Sequence, residues 1–395
     1  MYDIKQALKS KNTPTEQKKG VIVLSEGGYG CIMKPKIACS GKQTKDENYI
    51  TKIQQKNFFS DNEVYISSLI KQTEKYEQYF SVIESSCLVP LRKITSKEIT
   101  KCKDTLNRVS MAMLGQIRYI ESTNLFEMLG TVEPSFAILY IINSFKILLV
   151  ALESMINIGV IHFDIKPDNI LFDLVRRTPI VIDFGISIHK EKLVTLKDFQ
   201  NHFYVFYPKY YIWCLDIHYI CYLINVNQTP TLSDIEGICD DYINDNPVLN
   251  DMFSDGFIKK YRHSCVDAFK RYIGKDYMLV INILLKNSDT WDMFSVANIY
   301  LKVISFWFSK GYTNNPFIIA FSEILIQSIH PFYERRLQVS DVKREFNSFF
   351  YTQGNFSEIM RIVNNVDKEG ALIHSRVKKE RTAMKRLEKY IRTVK

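Results

Sequence analysis

Over the first third of the chain the apolar positions come in short runs broken by polar and glycine-rich punctuation. Val21–Leu24 reads as a strand, followed at once by the turn Ser25-Glu26-Gly27-Gly28-Tyr29-Gly30, and Cys31–Lys34 and Tyr49–Ile53 read as the next two strands. Glu63–Ile70 has helical spacing, and Phe80–Ile83 and Leu106–Leu114 are further strand candidates. After Pro134 the pattern changes to long apolar blocks, Phe136–Ile158, Trp291–Phe308 and Phe317–Ile329, each long enough for a buried helix. The expectation is an α+β chain with a small, mostly antiparallel N-terminal part and a larger helical C-terminal part. Residues 1–19 are a polar lead-in, and residues from about 217 to 290 carry no motif.

Composition changes this picture little. Of the 395 residues 46% are hydrophobic and 24% charged, so the chain can bury a sizeable core without metal or disulfides. The apolar stretch Phe136–Phe163 contains Asn143, Lys146 and Glu153. A charge at a bilayer centre costs about 2.5 kcal/mol or more, so this segment reads as a core helix and no transmembrane segment is expected. No signal or transit sequence is read at the start. The eight cysteines form no C-x-x-C pair and none has zinc-ligand spacing to a histidine. They read as free buried thiols in a reducing, cytoplasmic setting.

Charge is unevenly spread. Between Arg376 and Lys395 nine Lys or Arg face only Glu380 and Glu388, so this stretch carries +7 of the net +9. Val377, Met384, Leu387 and Ile391 recur at helical spacing within it. The tail therefore reads as a basic amphipathic helix, packed by one stripe on the body or offered to an anionic partner.

The chemistry concentrates in Val160-Ile161-His162-Phe163-Asp164-Ile165-Lys166-Pro167-Asp168-Asn169-Ile170-Leu171-Phe172, followed by Ile180-Val181-Ile182-Asp183-Phe184-Gly185. Two carboxylates and an asparagine on loops between short strands suit a cation site with a hydroxyl nucleophile nearby. Phosphoryl transfer needs that equipment: anionic phosphates neutralised, metals fixed and an acceptor hydroxyl aimed in line.

These two runs resemble the catalytic loop and Asp-Phe-Gly motif of the eukaryotic-type serine/threonine protein kinases. The resemblance implies a two-lobed fold, with a β-rich N-lobe at 20–115 holding one main helix. It implies a helical C-lobe at 116–350, interrupted by an insertion at about 217–290, and a basic helical tail at 351–395. It implies ATP with Mg²⁺ or Mn²⁺ as cofactors and protein substrates as partners. By the same resemblance Asp164 accepts the substrate hydroxyl's proton, Asn169 and Asp183 hold the metal ions, and Lys166 steadies the transferring phosphoryl. Lys two places after the catalytic Asp is the serine/threonine pattern. Ser25, Glu26, Gly27, Gly28, Tyr29 and Gly30 match the glycine-rich loop over the phosphates, with Ser25 in the place of its first glycine. Lys52 matches the phosphate-gripping lysine and Glu63 its helix partner, while Ile32, Ile50 and Leu171 match the apolar sandwich around adenine.

Further matches are structural. Trp213-Cys214-Leu215-Asp216 stands where the family has Ala-Pro-Glu, with Arg336 as the expected ion-pair partner of Asp216. Asp292-Met293-Phe294-Ser295 resembles the start of the central C-lobe helix, which makes Asp292 an anchor and not a catalyst. The connection between lobes is placed at Met111–Gln116. The run Ile161–Leu171 and the aromatic run Phe203–Trp213 look most like the kinases of large DNA viruses of eukaryotes, which implies a host-cytoplasm or virion location. Phe163 departs from the family's Arg before the catalytic Asp, and that Arg normally pairs with a phosphorylated activation loop. Activity independent of such a modification is expected. Ser25 and Phe163 together also allow a pseudokinase that binds a partner through the insertion or the tail, and a small-molecule kinase is a third reading.

Overall fold

The computed structural model describes residues 22–27, 30–94, 102, 106, 110–125, 127–128, 134–307, 316–352 and 370–393. The lead-in at 1–19, Gly28, Tyr29 and the first part of the tail lie outside the described residues. The chain divides into two compact units, one of residues 1–56 and 85–119 and the other of residues 57–84 and 120–395.

The first unit is built on an antiparallel sheet. Strands β1 (Ile22–Gly27), β2 (Gly30–Lys34) and β3 (Tyr49–Gln55) follow the expected order. Two more, β5 (Ile83–Pro90, after the two-residue β4 at Phe80–Ser81) and β6 (Met111–Arg118), complete the sheet in the order β1-β2-β3-β6-β5. Period-two alternation sends Cys31, Met33 and Ile53 into a core with Ile37, Val89, Ala112 and Leu114. The strand expected at Leu106–Leu114 is instead Met111–Arg118. The segment expected to connect lobes, Met111–Gln116, is the body of β6, paired along β3 from Gln55↔Ala112 to Tyr49↔Arg118. A one-sequence reading sees an apolar run there but not which neighbour claims its backbone N–H and C=O groups.

The cysteine reading needs correction in this unit. Cys31 is bonded to Cys102 and Cys39 to Cys87, each pair with Cα atoms 5.9 Å apart. The partners are 71 and 48 residues apart in sequence, so spacing gave no sign of them; the sheet brings them together. Only Cys214, Cys221, Cys239 and Cys265 are free and buried. The argument for a reducing compartment from eight free thiols therefore falls.

The second unit opens with helix α1 (Phe58–Ile70), which begins five residues before the expected Glu63. Asn57 sets that start: its side chain accepts from the Ser60 N–H while the Ser60 hydroxyl caps the Asn57 backbone. Strand β7 (Ser122–Asn124) and helix α2 (Pro134–Asn157) follow, then the short strands β8 (Val160–Ile161), β9 (Ile170–Asp173), β10 (Thr178–Ile182) and β11 (Ile188–His189). They form a sheet in the order β4-β10-β9-β7 and a two-stranded pair of β11 and β8. Helices α3 (Leu196–His202) and α4 (Leu215–Asn225) lead into the stretch that carried no motif. That stretch is helical: α5 (Leu232–Asn244), α6 (Pro247–Met252), α7 (Asp255–Lys270) and α8 (Tyr277–Leu285). Then come α9 (Trp291–Trp307), α10 (Pro316–Ser328), α11 (Val339–Thr352) and α12 (Gly370–Thr393).

The three long apolar blocks of the sequence are α2, α9 and α10, and they share one core. The Phe145 ring lies 4.9 Å from Tyr300, 5.0 Å from Phe321 and 5.0 Å from Phe346, within the range of favourable aromatic pairing. Among the described residues no helix is long and apolar enough to cross a membrane.

Candidate active site

The loop between β8 and β9 is held from below by one side chain. Asp292, at the start of α9, accepts the backbone N–H of His162 at 2.7 Å and of Phe163 at 2.9 Å. Burial raises the Asp292 pKa, while His162 and the two N–H donors oppose that rise. The anchoring has a purpose, because Phe163 adopts φ +70°, a left-handed backbone that costs a non-glycine residue about 1 kcal/mol or more. The Phe163 ring packs against Trp213, 4.9 Å between centroids, and the Trp213 indole N–H donates to the Phe163 carbonyl at 2.7 Å. His162 is fully buried. Its Nδ1 accepts the Asp164 N–H at 3.2 Å, so its Nε2 carries the proton donated to the Ile182 carbonyl at 2.9 Å. One histidine thus ties the loop to the end of β10, one residue before Asp183.

This scaffold presents Asp164, which is 7% exposed. Lys166 Nζ lies 2.8 Å from its Oδ2, and Asn169 Nδ2 donates to Oδ2 at 3.0 Å and to its backbone carbonyl at 2.9 Å. Oδ1 accepts the Tyr210 hydroxyl at 3.1 Å. Burial works against the charge of Lys166, but Asp164, Glu388 and Asp183 outweigh it and hold the pKa of the amine above its ordinary value. Asp183 also has a left-handed backbone, φ +67°. Phe184 beside it is buried against Phe80 and His162. The segment that follows is tied to α1: Asn62 Nδ2 donates to the Gly185 and Ser187 carbonyls at 3.1 and 2.8 Å, and the Tyr65 hydroxyl meets His189 Nδ1 at 2.8 Å.

The donor set suits a hard cation. Asn169 spends its amide N–H on Asp164, which leaves Oδ1 as its acceptor, and Asp183 supplies a carboxylate; oxygen donors of this kind, completed by phosphate oxygens, are what Mg²⁺ takes. Among the described residues no three His, Cys, Asp or Glu cluster as a metal site of their own.

Leu171 lies on β9 opposite Ile180, and Glu63 is buried on α1. In the first unit Lys52 is buried on β3, in register with Ile32 on β2 and Gly115 on β6. Ile50 lies two residues along the same strand, so it shares that face. Ser25, Glu26 and Gly27 pair with Ile32, Cys31 and Gly30. A Cβ at Gly30 would come to 3.0 Å from the Lys52 Cγ and Cε atoms, so a larger residue there requires this side chain to give by a few tenths of an ångström.

Two expected supports are formed. Arg336 binds Asp216 with Nη1 to Oδ2 at 2.5 Å and Nη2 to Oδ1 at 3.3 Å, and Asp292 anchors the loop as described. Sequence reasoning missed Asn62, Tyr210 and Glu388. Glu380 and Glu388 left a legible signal as the only acids between Arg376 and Lys395, spaced to lie on one helical face with Met384. Asn62 and Tyr210 left none.

Comparison with curated proteins gives no match. Among solved structures the chain is similar to the autoinhibited serine kinase domain of the giant muscle protein titin. The identity is 12%, the TM-score 0.39, and the match covers 82% of this chain and 79% of that one. Residues 60–206, which hold Glu63, Asp164, Lys166, Asn169, Leu171 and Asp183 but neither Lys52 nor the glycine-rich turn, match the family model of the protein kinase domain.

Proposed function

We propose that this chain is a protein kinase that transfers phosphate from ATP to serine or threonine of protein substrates. The observation that carries the reading is the Asp164 carboxylate, gripped by Lys166 and Asn169 on a loop anchored by Asp292. The family match over residues 60–206 supports it. Asp164 orients the acceptor hydroxyl and takes its proton, and Lys166 steadies the transferring phosphoryl. Asn169 and Asp183 hold Mg²⁺ or Mn²⁺, which neutralises phosphate charge when bound. The residues from Ser25 to Gly30 cover the phosphates, the Lys52–Glu63 pair positions them, and Ile32, Ile50 and Leu171 receive the adenine. These assignments, like a placement among the kinases of large DNA viruses, rest on the sequence resemblance.

Phe163 supports activity without activation-segment phosphorylation. Its ring is buried among Phe203, Trp213 and Trp291, where a phosphate has no cationic partner at this position. Phosphatase treatment is expected to leave activity unchanged. On α12 the exposed residues include Lys378, Lys379, Lys385, Arg386 and Lys389 and no acid, which supports an anionic partner at that face.

Transfer of labelled phosphate from ATP and Mg²⁺ to a general protein substrate tests the reading. Wild type is expected to label serine or threonine, and Asp164→Asn and Asp183→Ala to abolish the signal. Equal counts from all three and from Tyr210→Phe, which frees Asp164 Oδ1, with Mn²⁺ also tried, would leave a pseudokinase. Labelling of a metabolite alone would mark a small-molecule kinase.

A further inference from the structure

The chain's own C-terminal helix reaches the site just described, and three tyrosines of one short segment connect the two. Tyr210 donates to Asp164 Oδ1, the oxygen left after Lys166 and Asn169 have taken Oδ2. Its neighbours face α12. The Tyr207 ring lies 4.4 Å from the ring of Tyr390, and the Tyr211 hydroxyl donates to Glu380 Oε1 at 2.6 Å. Glu388 of the same helix places Oε1 3.4 Å from Lys166 Nζ, where its side chain is 13% exposed. A carboxylate oxygen therefore stands where a phosphoryl oxygen would need this amine.

From these contacts we infer that α12 is an autoinhibitory element. It holds the Tyr207–Tyr211 segment so that Tyr210 occupies the catalytic carboxylate, while Glu388 occupies Lys166. The inference rests on the kinase reading above. A helix packed only for stability would bury its apolar stripe, as Val377 and Met384 do here. It has no reason to place an acid on Lys166, since an apolar side chain packs there without the cost of burying charge. The charge pattern agrees: the two acids of α12 point inward, Glu380 to Lys302 at 3.2 Å and Glu388 to Lys166, and the exposed side is basic. Release exchanges intramolecular contacts for solvent and frees Asp164 and Lys166 together, so the active fraction follows the population of the undocked helix.

The test uses the full chain as wild type, Glu388→Lys, Tyr210→Phe and Asp183→Ala. Glu388→Lys sets a cation against Lys166; Tyr210→Phe removes only the hydroxyl and keeps the ring. Both are expected to raise kcat/KM for a general protein substrate about tenfold or more over wild type. Hydrogen exchange between Met384 and Ile391 is expected to quicken in Glu388→Lys. If wild type transfers phosphate above the Asp183→Ala baseline and neither variant exceeds it with its melting temperature kept, the latch is overturned and the kinase reading stands. Unchanged exchange in a folded Glu388→Lys chain also overturns it. If every chain equals the Asp183→Ala baseline, the kinase reading fails and the latch fails with it. Should Glu388→Lys not fold, Tyr210→Phe alone decides.

Discussion

Arg336 and Asp216, 120 residues apart, meet as a buried two-pronged ion pair with each side chain 1% exposed. Asp216 Oδ2 also accepts the Trp291 indole N–H at 3.2 Å, and Arg336 donates further to the His330 and Pro331 carbonyls. Burial opposes the charge of Arg336, but Asp216 outweighs it and the guanidinium is held above its ordinary pKa. Removing one partner leaves the other charged and dry. Arg336→Leu is expected to destabilise the chain by about 3–5 kcal/mol in chemical denaturation, and the double variant Arg336→Leu/Asp216→Leu by less. Equal losses in both would mean the pair acts only through packing.

Asp292 caps two buried N–H groups at the base of the loop between β8 and β9. Asp292→Ala orphans both, at about 1–3 kcal/mol each. Asp292→Asn keeps one acceptor oxygen and is expected to fall between wild type and Ala. Denaturant midpoints should follow the order wild type, Asn, Ala, and kcat should fall in the same order while the KM for ATP changes less.

His202 and His218 titrate far below a free imidazole, pushed down by burial to about 4 and about 3. Their Nδ1 atoms find no hydrogen-bond partner among the described residues. Both stay neutral in the fold, whereas the unfolded chain takes up protons near pH 6.5. Their contribution is therefore complete above about pH 6.5 and is lost as the pH falls towards 4 and then 3. For His202 alone the loss is on the order of 3 kcal/mol. His202→Phe, which keeps a ring against Phe58 at the present 5.1 Å contact, is expected to lessen the fall of the melting temperature between pH 6.5 and 4, with His218 keeping its own share. A slope as steep as wild type would rule out His202 as its source.

Under denaturing, non-reducing conditions a thiol reagent is expected to titrate four cysteines, and all eight after reduction. Reduction should lower the stability of the first unit by about 2–4 kcal/mol for each bond. Eight reactive thiols without reductant would restore the reading of a fully reduced chain.

What the sequence determined was local chemistry and periodicity. The strands around the glycine-rich turn, the three long helices and the order of the residues between β8 and β9 follow from alternation, apolar runs and motif spacing, all short-range signals. Asp164, Lys166 and Asn169 meet because they lie within five positions of one another on one loop, so their grouping was visible before any fold was known. Tertiary structure decided everything that depends on which distant segment lies alongside. Whether Met111–Gln116 is a strand or a connection depends on β3 taking its hydrogen bonds. Cys31 finds Cys102 only once the sheet has formed. Tyr210 and Glu388 look like a loop aromatic and a solvated acid until α12 docks. Such contacts carry no periodicity of their own, because loop closure over tens or hundreds of residues leaves no mark on the residues between.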